Sequence, residues 1–120
     1  MEKAYQLSEK ILEDINNYSE KYVNEDGKTI TTEDAIMTLN NILQEGFTLN
    51  KYVVEKKLYE GKPEIEVACS ELNKYIEKLQ INPENANKLN LSSAMQLWNQ
   101  CKLLIAVLAC NLLDFRDSLN

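Results

Sequence analysis

Residues 94–119 read AMQLWNQCKLLIAVLACNLLDFRDSL. At about 100° per residue, Leu97, Trp98, Cys101, Leu104, Ile105, Leu108, Leu112, Phe115 and Leu119 gather on one broad face of a helix, the pattern of a core stripe. The opposite side is polar at its ends, with Gln96, Asn99 and Gln100 before and Asp114, Asp117 and Ser118 after. Its middle carries Leu103, Ala106, Val107 and Cys110, which a solvent-facing side should not. A helix apolar all round for about two turns is either the central helix of its domain or a contact between subunits.

The rest of the chain supplies helices to pack around this one. Ala4, Leu7, Ile11, Ile15, Tyr18 and Tyr22 recur at spacings of three and four, with charged residues between them, which predicts an amphipathic helix over 3–23. Asn24-Glu25-Asp26-Gly27 should end it, and the flanking residues could pair as a small β-hairpin near 22–31. Thr31 or Thr32 is an N-cap, with Glu33 and Asp34 in the first turn where the helix dipole favours carboxylates. The helix that follows buries Ala35, Ile36, Leu39, Ile42 and Leu43, and Gly46 is expected to kink or break it before a second segment runs on to Tyr59 and stops near Gly61.

Pro63 opens a further helix with Glu64 and Glu66 in its first turn and a stripe of Ile65, Ala68, Cys69, Leu72, Ile76 and Leu79. Asn82-Pro83 ends it and can cap a short helix through Leu89. Ser93 and Gln96 form a capping box for the last helix. The expected fold is all-α, a compact antiparallel bundle of four to five helices with a buried C-terminal helix, in a single domain over residues 1–120. Continuous β-branched runs of the kind a parallel sheet needs are missing.

The formal charge is −6, and residues 1–34 hold nine acids against four bases, so the acidity belongs to the N-terminal third. That balance speaks against direct nucleic-acid binding and against a membrane surface, both of which rest on Lys and Arg neutralising phosphate. It suits solubility, a basic protein partner, or mimicry of nucleic acid. Cys69, Cys101 and Cys110 are odd in number and lie on helices. Cys101 and Cys110 would point to opposite sides of one helix, so buried free thiols and a cytoplasmic location are expected. The N-terminus lacks the apolar core of a signal peptide, and the longest apolar run, Leu103 to Ala109, is too short to span a bilayer.

The chain contains no histidine. That removes the commonest general base, the imidazole metal ligand and every Ser-His or Cys-His nucleophile. Cys-x-x-Cys zinc spacing, Glu-x-x-His di-iron pairs, Glu-x-x-Glu magnesium pairs and a phosphate-cradling glycine loop are all absent from the sequence. No cofactor and no enzymatic activity are expected. Lys51, Lys56, Lys57 and Lys62, interleaved with Tyr52 and Tyr59, form the basic cluster. It reads as lysines complementing a helix C-terminus, or alternatively as a surface where a nucleotide-like small ligand or an acidic partner docks.

The leading functional expectation is therefore a non-enzymatic, acidic helical interaction protein: an inhibitor, adaptor or regulator that self-associates as a homodimer or higher oligomer through Leu103, Ala106, Val107 and Cys110. Small residues such as Ala106 and Cys110 let backbones approach closely. Fourteen asparagines point to a gene of low GC content, and the style of the chain fits a phage or mobile-element protein that blocks a host defence component. The alternative is a protein that binds and sequesters a small molecule or nucleotide with the Lys/Tyr segment at 51–62.

Overall fold

The computed structural model describes residues 2–27, 32–79 and 91–118. Four helices carry the fold: α1 (Glu2–Tyr22), α2 (Glu33–Glu55), α3 (Pro63–Leu79) and α4 (Leu91–Ser118). They pack as an all-α bundle in which α4 lies against each of the other three. Among the described residues α1 and α3 do not touch. The cross-section is thus a rhombus whose short diagonal is the α2–α4 contact, with α1 and α3 at the far corners. The short helix expected after Pro83 and the second arm of the expected hairpin lie outside the described residues.

Gly46 explains the short diagonal. The expected break at this residue does not occur, and α2 runs unbroken from Glu33 to Glu55. A Cβ at position 46 would stand 2.6 Å from Ile105 Cδ1 and 2.8 Å from Ile105 Cγ1. Glycine is there because α4 comes too close to admit any side chain, and its helix-weakening cost of about 1 kcal/mol relative to Ala is offset by the packing that the approach permits. Phe47, Leu43, Leu49 and Val53 of α2 and Cys101, Ile105, Leu108 and Leu112 of α4 are all buried around this contact.

The other corners are fixed locally. In α1, Ala4, Tyr5, Ser8, Ile11 and Tyr18 are buried, and the Ser8 hydroxyl donates to the Ala4 carbonyl at 2.7 Å, so a polar side chain sits in the core at no hydrogen-bonding cost. Tyr18 meets Trp98 edge-on at 6.2 Å, while at the other end of the pair Arg116 of α4 holds Glu9 of α1, which makes the two helices antiparallel. Between α2 and α3 the buried Asn50 amide donates to Asn73 Oδ1 at 2.8 Å. Burying an amide without such a partner would cost about 1–3 kcal/mol.

The turn after α1 forms as expected: Gly27 donates its N–H to the Asn24 carbonyl at 2.9 Å and takes a φ of +77°. Thr32 caps α2, its hydroxyl accepting from the Ala35 N–H at 3.2 Å. The other end of α2 differs from expectation. The helix stops at Glu55, and Leu58 donates to the Val53 carbonyl at 2.9 Å while Lys57 donates to that of Val54 at 3.2 Å, a Schellman closure. The left-handed position in it belongs to Lys57, with φ of +54°, and not to the glycine four residues on. Lys57→Gly is therefore expected to raise stability by about 0.5–1 kcal/mol, seen as a higher urea midpoint with an unchanged slope. Finally, α4 begins at Leu91, so Ser93 sits inside the helix and does not open it.

Candidate interaction surface

With α2 behind α4 and α1 and α3 on either side, one row of α4 faces away from the bundle. It consists of Gln96, Gln100, Leu103, Val107, Cys110, Asp114 and Asp117, all exposed. Spacings of four and three alternate along it, the heptad row that a helix presents to a single partner helix. Leu103 is 71% exposed and Val107 39%. The other helices thus do not surround α4, and the expected burial of all three thiols holds for Cys69 and Cys101 but not for Cys110, which sits on this outward row. Burial pushes the Cys69 and Cys101 thiols up to about 11, which keeps them protonated and unreactive at neutral pH.

A groove flanks the row on each side. On the α3 side, Pro63, Val67, Ala68, Leu104 and Val107 line one together with Glu64, and Val67 is 61% exposed. On the α1 side the other is mixed, with Ile15, Val23, Leu103 and the half-buried Ala106 beside Ser19, Asn99 and Lys102. The structure therefore joins Val107 to Val67, and Leu103 and Ala106 to Ile15, while Cys110 lines neither groove; the sequence pattern did not single out Val67 and placed Ile15 only in the buried stripe of the first helix. Val67 lies off the α3 stripe, on the side turned toward the outward row of α4, and only the packing of α3 against α4 brings the two together. Burying an exposed Leu or Val side chain fully is worth about 1.5–3 kcal/mol, so this surface has a substantial drive toward being covered.

The Lys/Tyr segment is spread over several directions. Lys51, Lys56 and Lys57 are exposed at the end of α2, and Tyr52 packs half-buried against the core. Tyr59 lines a groove with Val54, Glu66, Cys69, Ser70 and Asn73, in which the charged member is an acid. Lys62 turns toward α4, with Nζ 4.1 Å from the centre of the Phe115 ring and donating to the Glu60 carbonyl at 3.3 Å. Lys62 and Tyr59 line two different grooves, and Lys51, Tyr52, Lys56 and Lys57 line neither of these.

One ionisable group is held in an unusual setting. Glu45 of α2 faces Asp14 and Lys10 of α1: Lys10 Nζ lies 3.1 Å from Asp14 and 3.9 Å from Glu45, whose side chain is 16% exposed. Glu45 Oε2 is buried without a hydrogen-bond partner. Burial first, then the neighbouring Asp14 carboxylate, push the Glu45 carboxyl up to about 8, against an opposing pull from Lys10. Two carboxylates this close favour keeping one proton between them. The sequence carried a faint sign of it, since Glu45 stands three residues after Ile42 and four before Leu49, beside the buried stripe of α2.

Among the described residues no group of three Cys, Asp or Glu side chains could hold a metal ion, and no helix is long and apolar enough to cross a membrane. No protein-family model, curated protein or solved structure matches the chain.

Proposed function

We propose that this chain is a non-enzymatic interaction protein, an inhibitor, adaptor or regulator that works as a self-associated species paired through α4. The observation that carries the reading is the exposed row Leu103, Val107 and Cys110, with an apolar groove on the α3 flank and a mixed one on the α1 flank, on the helix that otherwise forms the centre of the bundle. Soluble monomers rarely leave a large contiguous apolar patch bare, and a two-fold pairing covers the row and its grooves in one step. The exposed acids of α1 and of the segment that follows it, Glu2, Glu9, Glu13, Glu20, Glu25 and Asp26, lie on another element and suit a basic partner surface. A phage or mobile-element protein directed at a host defence component is one setting in which such an acidic adaptor works.

Light scattering on the wild type and on Leu103→Asp/Val107→Asp tests the self-association. The wild type should weigh at least two chains, and the double variant one chain with unchanged helical circular dichroism, because both positions are exposed and the fold does not need them. A wild type that weighs one chain at micromolar concentration overturns the reading.

A further inference from the structure

The order of residues along the outward row specifies how a second copy sits on it. Resting on the self-association above, we infer that two copies pair through α4 in antiparallel orientation about a two-fold axis beside Val107. Seven exposed positions form the row, and Val107 is its middle. Turning a second row end for end about Val107 sets Leu103 against Cys110 and Gln100 against Asp114, with Gln96 against Asp117. Every apolar residue then meets an apolar or thiol side chain. Each carboxylate meets an amide N–H donor.

The parallel alternative sets Asp114 on Asp114 and Asp117 on Asp117. Like charges directly opposed across a helix pair are destabilising, and parallel helix dipoles add to the penalty. Asp117 also accepts from Arg116 Nε of its own chain at 3.2 Å, so the charge discrimination rests chiefly on Asp114.

Disulfide trapping with a copper–phenanthroline oxidant reads the orientation directly. Cys110 is exposed whereas Cys69 and Cys101 are buried, so the wild type presents one reactive thiol. Leu103→Cys adds a second, seven residues away on the same helix and too far along it to bridge within one chain. The expected result is a reducible covalent dimer of Leu103→Cys, formed at least about tenfold faster than any from the wild type or from Leu103→Cys/Cys110→Ser. Fast trapping of either single-thiol protein indicates the parallel pairing and overturns the inference, as does a dimeric mass with no fast trapping in any variant. A single-chain mass for unoxidised wild type overturns the self-association itself, so the two failures are told apart. As a second readout, Gln100→Lys places a cation opposite Asp114 of the other copy. It should tighten the dimer Kd by about two- to fivefold at low salt, whereas in the parallel pairing Lys would face Lys and the Kd would rise.

Discussion

Gly46→Leu is expected to destabilise the protein by about 3 kcal/mol or more, with a visible loss of cooperativity in urea unfolding. The helix-propensity change alone favours the variant, since leucine is a better helix former than glycine by most of a kilocalorie per mole. Packing decides the sign. Even a bare Cβ would approach three carbons of Ile105 to 3.0 Å or less, and Ile105 is β-branched and fully buried, so it has no free end to swing aside. Overpacking of this kind typically costs about 1–3 kcal/mol for a few methylenes and more when backbone must move. Gly46→Ala should therefore be the milder case, a net loss of about 1–2 kcal/mol. Gly46→Ala/Ile105→Ala should be less destabilised than the sum of its parts, because the added and removed atoms compete for one volume. A Gly46→Ala protein more stable than wild type would show that α2 and α4 are not held this close.

The second large effect is a fall in stability with rising pH, traced to one side chain. The Glu45 carboxyl stands at about 8 in the folded chain against 4.5 as a free side chain. Between those values the folded state keeps a proton that the unfolded state has released, so the contribution is intact below about pH 4.5 and is lost as pH climbs toward 8. Allowing for the solvent that reaches Lys10 and Asp14, the drop is about 2 kcal/mol. No histidine titrates in that window, and the buried thiols shift stability only at higher pH. Chemical unfolding at pH 5.5 and 8.5 should show the decline in wild type and its near absence in Glu45→Gln, whose amide can donate to Asp14 at any pH. Equal slopes in the two proteins would assign the pH dependence elsewhere.

The bundle and its buried stripes were legible because they depend on periodicity alone: Ile11, Leu39, Leu72 and Leu108 fall inward wherever their helices pack. The anomalous middle of α4 was legible too, since Leu103 and Val107 stand among residues that no solvent-facing side should carry. What depends on a partner from elsewhere in the chain was not. Gly46 looks the same in sequence whether it breaks a helix or lets another one approach, and only Ile105, fifty-nine residues on, decides between them. Lys57 in a left-handed conformation defeats a rule that looks for glycine. Asn50 reads as surface until Asn73 is placed beside it. At the interaction surface, the α4 half was visible in its own spacing, while Val67 and Ile15 joined it only through the packing of separate helices.

Because α1 and α3 lean on α4 without touching each other, the order of synthesis leaves them waiting. As the polypeptide leaves the ribosome, the first three helices can dock only along the two flanks of α2, and their remaining greasy sides stay wet until the twenty-eight residues of α4 emerge. Domains fold as units, and half-built cores are what chaperones bind. A truncated product ending before Leu91 should accordingly be a client of holdases and proteases, with α4 the keystone whose arrival ends that exposure.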